Sequence, residues 1–338
     1  MTQIAFASFV PELTSGEASW ISPWVEPGFG MADVVPSWNA RTPAGSWIDV
    51  RVQGRDETGE TPWYELGRWC SDHAGPRTSV AGQADGRARV DVDTLTAAGN
   101  FDAYRLRVDL RGTGTSLSLV AAVASGSRAP GVVAPSGPSL PEGIELAVPS
   151  YSQRIHAGHL PEFDGGGASW CSAASTAMLV ASWGRGPTDA ELAWVGEGHV
   201  DACVDHAARG IYDHAYGGCG NWPFNTAYAA TFGLEAFVTR LRSLREAEAY
   251  LSAGIPLAAS IAAGPGELDG FVAEGSTGHI VVIHGLTLRG DPVVNDPAAP
   301  SNGDVRRVYD RGQFERAWLG GSGGIVYVIR PPEVPLPG

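Results

Sequence analysis

Apolar and polar residues alternate in short runs through the first 125 residues of the chain. In "DAYRLRVDL", Tyr104, Leu106, Val108 and Leu110 fall on one side while Arg105, Arg107 and Asp109 fall on the other. Side chains alternate faces along a strand, so this run predicts an antiparallel strand with one face buried. "GSWIDVRVQG", "PWYELGRWC", "GRARVDVDTL" and "TSLSLVAAVA" show the same alternation or an enrichment in β-branched and aromatic residues, with turn residues between them. Short strands at such spacing predict an all-β domain over residues 1–125, a two-sheet sandwich of jelly-roll type.

The pattern changes after residue 125. Residues 126–147, "GSRAPGVVAPSGPSLPEGIELA", are rich in Pro, Gly and Ser and read as a linker. In "GGGASWCSAASTAMLVASWG", residues 173–183 are almost all apolar or small and lack Gly and Pro. This predicts a helix buried on most sides, beginning at or just before Cys171. In "GPTDAELAW", Thr188 and Glu191 have capping-box spacing, as do Ser243 and Glu246 in "SLREAEAYLSAG", where Gly254 is a stop signal. "NWPFNTAYAATFG" predicts a short helix closed by Gly233. Strand patterns follow in "IPLAASIAA", "GHIVVIHGL", "DPVVND", "DVRRVYD" and "GGIVYVIRP". Helices first and antiparallel strands afterwards predict an α+β domain over residues 148–332, with 333–338 as a tail.

Composition narrows the function classes. The 338 residues are 43% hydrophobic and 18% charged, and 45 are Gly, which suits a loop-rich globular protein. The formal net charge is −14 and every one of the 23 basic residues is Arg. An acidic chain without a basic run is a poor partner for nucleic acid or anionic membranes. No apolar run approaches the ~20 residues that span a bilayer. The N-terminal "MTQIAFASFVPELTSGEASW" lacks the basic and apolar segments of an export signal. Cytoplasmic residence follows as the expectation, with secretion open if a leader has been removed. The four cysteines are too few for a disulfide scaffold, although Cys203 and Cys219 could close one bridge or stay as thiols.

Cys171 at a helix start faces backbone N–H groups without partners and the positive end of the helix dipole. Both favour the thiolate, the form that attacks carbonyl carbon. The alternative is a small core residue. Catalysis needs a base, and His279 at the start of the "GHIVVIHGL" strand can face a cleft, whereas His284 lies inside the apolar run and reads as packed. The turn "LRGDP" returns the chain, so Asn295 or Asp296 can approach His279. Direct opposition requires a bulge or offset, because the midpoint of 279 and 296 falls just before the turn. Asp296 is the better partner, since a carboxylate stabilises an imidazolium. "NDP" is also ordinary turn chemistry. Gln153, eighteen positions upstream of Cys171, can supply a side-chain amide to the oxyanion, or merely face water.

The order Gln153, Cys171, His279, Asp296 resembles that of the papain-like cysteine peptidases. The pieces "VPSYSQ", "SWCSAASTAMLVASWG", "GNWPFNTAYAATFG", "GHIVVIHGL", "VVNDPAAPSN" and "GGIVYVIRP" are similar to the bacteriocin-leader (double-glycine) peptidases, cysteine peptidase family thirty-nine, over residues 148–332. The resemblance implies a papain-like α+β fold, attack on an amide by Cys171, His279 as base and Asp296 as its orienting group. It also implies that Gln153 and the Cys171 backbone N–H hold the oxyanion. No transporter domain follows, so a leader-peptide substrate is not carried over. A peptide or protein substrate and no cofactor are expected. The alternative is a non-catalytic papain-like binding protein, but all four residue types are present, which favours catalysis.

Other residues invite weaker readings. Trp170, Asn221 and Trp222 are candidate substrate contacts. The stretch with His199, Asp201, Cys203, Asp205, His206, His214 and Cys219 suggests zinc but lacks closely spaced cysteine pairs, so no metal is expected. Six Trp in the sandwich, Trp20, Trp24, Trp38, Trp47, Trp63 and Trp69, read as core, with binding of a glycan or cell-wall peptide as the alternative.

Overall fold

The computed structural model describes residues 2–13, 18–73, 75–80, 82–127, 133–196, 198–273 and 276–338. The chain divides into two compact units. The first comprises Met1–Ala129, Gly210–Thr231 and Phe237–Thr239; the second comprises Pro130–Arg209, Phe232–Ala236 and Arg240–Gly338. Crossing between units therefore occurs at several points of the chain and not only at the expected 126–147 linker.

Eight strands form the frame of the first unit: β1 (Ile4–Phe9), β2 (Ser19–Ile21), β3 (Met31–Arg41), β4 (Trp47–Asp56), β5 (Tyr64–Trp69), β6 (Thr94–Phe101), β7 (Ala103–Arg111) and β8 (Ser116–Gly126). One sheet runs β1-β8-β3-β6 and the other β2-β7-β4-β5, with short flanking strands on each. The chain changes sheet at every connection except β4 to β5, which is the jelly-roll order. In β7 the predicted alternation is realised: Tyr104, Leu106, Val108 and Leu110 are buried. The sequence pattern does not reveal β3, because Pro36 interrupts it. Strand β6 pairs with β3 only at Met31, Asp33 and Val34, so β3 has become an edge at Pro36, where a missing N–H is tolerated. The helix Trp222–Ala230 belongs to this unit and inserts Phe224 against Trp38 and Trp69, with ring centroids at 6.1 and 5.3 Å.

A further sheet has six main strands, all in the second unit except the middle of the first strand: β9 (Glu235–Arg240), β10 (Leu257–Ala263), β11 (Ser276–Leu286), β12 (Pro292–Asn295), β13 (Arg306–Val308) and β14 (Ile325–Arg330). Their order is β9-β14-β10-β11-β12-β13. The longer helices are α1 (Cys171–Ser182), α2 (Ala202–Ile211), α3 (Leu244–Ser252) and α4 (Arg311–Gly321), of which α2 and α4 were not expected from the sequence. Helix α1 packs on β11 and β10 with its Ala, Met, Leu and Val side chains buried. Ser175 Oγ donates to Ile280 O at 3.1 Å, which ties the helix to the strand that carries His279. Thr188 and Glu191 do form a capping box. Ser243 does not, because Glu246 is engaged by Arg242 and Glu315 takes the Leu244 N–H instead.

Residues 133–147 are not a free linker. Ser136 donates to Glu315, Ser139 to Glu248, and Ile144–Glu145 add a short strand beside Leu286 and Gly285. A Cβ on Gly285 would lie 2.5 Å from Ile144 O, so only glycine lets this strand approach. No helix among the described residues is long and apolar enough to cross a membrane.

Candidate active site

Four polar residues from separate parts of the second unit meet at one cleft. Cys171 opens α1, where Trp170 gives no side-chain cap and the first intrahelical bond is Ala174 N–H to Trp170 O. The amides before Ala174 are therefore free for an anion. His279 lies near the start of β11, and its Nε2–H donates to Asp296 Oδ1 at 2.7 Å. That leaves Nδ1 for the hydrogen bond with Cys171. Gln153 starts a single 3-10 turn, Gln153–His156. Its backbone N–H donates to Pro297 O at 2.8 Å and its Nε2–H to Gly167 O at 2.7 Å, fixing the amide between the Asp296 segment and the loop entering α1.

The approach of Asp296 to His279 depends on a bulge. Near the turn, Leu286 is opposite Pro292 and Gly285 opposite Val293; further on, Ile283 is opposite Val294 and Val282 opposite Asn295. His284 thus has no counterpart on β12. Continuing the shifted register sets Asp296 across from Val281, two residues from His279 and on the same face of β11. Asn295 turns elsewhere and donates to Pro149 O at 2.9 Å. His284 is the packed histidine, buried and bonded to Leu146 O at 3.1 Å.

Burial and charge act in opposite directions here. Burial pushes the Cys171 thiol up, but His279, by hydrogen bond and charge, and the Ile280 backbone outweigh it, so the thiol lies below its ordinary value. Burial likewise disfavours the imidazolium, yet Asp296 and Cys171 push the His279 pKa up to about 10. Asp296 lies below the ordinary carboxylate range: burial opposes its charge, while His279, the Tyr309 hydroxyl at 2.8 Å and the Ala298 N–H at 3.0 Å favour it. None of the four cysteines is in a disulfide. Burial raises Cys70, despite the charge of Arg77, and Cys203 to about 11, so Cys171 differs from these two in its hydrogen-bonded imidazole. Tyr309 and Phe271, whose ring lies 5.6 Å from that of His279, are site residues that sequence reasoning missed. Their only signal was aromatic residues near "NDP" and "GHI".

The cleft has a volume of about 760 Å³ and is lined by Gln153, Arg154, Cys171, Phe271, Ser276, His279 and Pro300, among others. The three expected substrate contacts do not line it. Trp170 is fully buried and donates its indole N–H to Phe163 O at 2.7 Å, because it packs beneath the start of α1. Asn221 is buried as the cap of Trp222–Ala230, accepting from Phe224 N, and the Trp222 N–H donates to Asp93 at 2.8 Å. Both residues belong to the first unit. The stretch considered for zinc is divided too, with His214 and Cys219 in the first unit and His199, Cys203 and Asp205 in the second. His156, His159 and Asp205, which are not among the residues lining the cleft, bring their ligand atoms within 4.8 Å of one another.

The family model for the peptidase C39 N-terminal domain matches residues 12–125, and that for the peptidase C39-like family matches residues 145–324. A solved structure described as a C39-like peptidase from Bacillus anthracis is similar at 19% identity, covering 56% of this chain and 98% of that one, with a TM-score of 0.35. A fragment of prointerpain A from Prevotella intermedia is similar at 15% identity, covering 59% and 76%, with a TM-score of 0.34. No curated protein matches the chain.

Proposed function

The chain belongs to the peptidase C39-like family, and from that premise we propose that it is a cysteine peptidase or amide hydrolase with Cys171 as nucleophile. Its α+β second unit is the papain-like fold of that family, and the N-terminal region of the chain is all-β. The observation that carries the proposal is the chain of contacts from Cys171 through His279 to Asp296 at the cleft wall. Family membership supports a peptide substrate.

In the resting site, Cys171 is a thiolate and His279 an imidazolium. The sulfur attacks the amide carbon and the carbonyl electrons move to oxygen. The Cys171 backbone N–H and the second amide hydrogen of Gln153 stabilise that oxyanion, the first amide hydrogen being held by Gly167 O. His279 then gives its Nδ1 proton to the leaving nitrogen, the C–N bond breaks and an acyl-enzyme forms. Water, deprotonated by the now neutral imidazole, releases the acid and restores the thiolate. Asp296 keeps the Nε2 proton in place throughout and fixes which ring nitrogen reacts.

Replacing Cys171 by Ala should lower turnover of a mixed fluorogenic peptide substrate by roughly 10⁴-fold or more, with an unchanged melting temperature. Iodoacetamide labelling should be fast at Cys171 in the wild type and slow in His279→Ala. Unchanged turnover in Cys171→Ala overturns the assignment.

A further inference from the structure

We propose that His156, His159 and Asp205 form a binding site for one divalent transition-metal ion of the zinc class. The proposal stands apart from the catalytic reading and uses none of its residues.

The sequence "RIHAGHL" spaces two histidines three apart. Ala157 has φ −58° and ψ 122°, Gly158 has φ 87°, and His159 N–H donates to His156 O at 3.0 Å. These are the angles and the bond of a type II β-turn, in which the third residue must take positive φ and glycine does so without strain. The turn brings both imidazoles to one carboxylate. Asp205 lies in the first turn of α2 and is 1% exposed. Its Oδ2 is 2.9 Å from His156 Nδ1 and its Oδ1 is 2.9 Å from His159 Nδ1.

The three ligand atoms lie within 4.8 Å of one another. Around a tetrahedral zinc with bonds of about 2.0–2.1 Å, ligand atoms stand about 3.3 Å apart. Conversion of two hydrogen bonds into three metal bonds opens a hydrogen-bonded pair by about 0.4 Å and closes the widest ligand separation by up to about 1.5 Å, within reach of imidazole rotation. Each imidazole moves its proton to Nε2 as Nδ1 takes the ion. Two nitrogens and one oxygen suit zinc-class ions and not calcium or magnesium, which take oxygen shells.

Three further observations separate this group from ordinary buried polar residues. Among the described residues, the ion pairs of Asp205 are both with histidine, so no fixed cation of those residues accompanies this buried carboxylate. His156 is fully buried against Trp170, and its Nε2 has no hydrogen-bond partner among the described residues. Its one polar side-chain contact is therefore the one toward Asp205. His159 Nε2 lies 3.1 Å from His199 Nδ1, an outward partner of the kind that orients a metal-bound imidazole. The His159 side chain is 20% exposed, which gives the ion an entry path and leaves a position for water.

The test uses the full-length chain carrying Cys171→Ala, so that the nucleophile cannot compete as a thiolate ligand. After chelator treatment, zinc is titrated calorimetrically and cobalt by absorption. The expected result is one equivalent bound at micromolar affinity or tighter, with cobalt d–d bands and no thiolate charge-transfer band. Adding His159→Ala should abolish saturable binding, and adding His199→Ala should weaken it about tenfold. His159→Gln retains a donor to Asp205 without the imidazole and serves if the alanine variant fails to fold. Absence of saturable binding, a thiolate band, or unchanged affinity in the His159 variants would each overturn the proposal.

Discussion

Buried Asp109 in the first unit and buried Asp296 in the second are kept in opposite ways. In the first unit, Asp109 accepts from Arg51 and Arg107, and Asp49 from Arg68 and Arg111. In the second, Asp296 accepts from His279, Tyr309 and a backbone N–H. Asp109 and Asp296 are 2% and 0% exposed, so burial does not distinguish them. Their partners do. A guanidinium keeps its proton at any working pH, so an Arg-paired carboxylate is a fixed element of structure. An imidazole can give its proton away, so an imidazole-paired carboxylate sits beside a movable charge.

Exchanging the two cases gives the largest expected effect. Asp296→Asn should lower kcat/KM by roughly 10³–10⁴-fold with little change in melting temperature. Asp109→Asn should leave kcat/KM intact and cost about 1–3 kcal/mol of stability, because the arginines lose a charged acceptor. Equal losses of activity in the two variants would break the comparison.

The next effect is on pH. The alkylation rate of Cys171 should stay high well below the ~8.5 of a free thiol, since His279 holds the thiol down. The raised His279 also gives the sign for stability. Its contribution is fully present below ~6.5 and is lost as pH rises through about 10. Thermal melts across that range should fall more steeply for wild type than for His279→Gln. Parallel curves would remove the ion pair.

Tyr309→Phe takes away one donor to Asp296, a bond worth about 1 kcal/mol, and should lower kcat/KM several-fold. Because Asp296 then holds His279 less firmly, the alkylation profile should also move toward that of an ordinary thiol. A loss of activity with an unmoved profile would make Tyr309 only a packing residue. The smallest effect is expected at Asn221→Ala, which loses a helix cap worth about 1 kcal/mol and should leave kinetics unchanged. A raised KM in that variant would return Asn221 to the substrate path.

What could be read from the sequence was local or ordered. Cys171 announces itself by a glycine loop running into an apolar helix, and His279 and Asp296 by a strand, a turn and a proline. The strand pattern of β7 predicts its buried face because alternation is a property of the strand alone. Contacts that join distant segments left no such mark. Asp205 meets His156 and His159 across 49 and 46 residues, and nothing in "DACVDHAARG" points to "RIHAGHL". Trp170 looked like a substrate contact because it neighbours Cys171, but successive residues at a helix start face different ways. The expected linker misled through composition: its serines are bound by Glu315 and Glu248, which lie more than a hundred residues later.

The place of His284, which has no counterpart on β12, decides the face on which Asp296 emerges. A hairpin whose extra residue fell three places nearer the strand start would keep most of its ladder. Asp296 would then stand across from Val282, and its carboxylate would emerge on the opposite side of the sheet from the imidazole. Such a chain would melt cooperatively and turn over nothing. The yield of competent protein is therefore the molar fraction titrated by a Cys171-directed probe, and a sharp melting curve does not measure it.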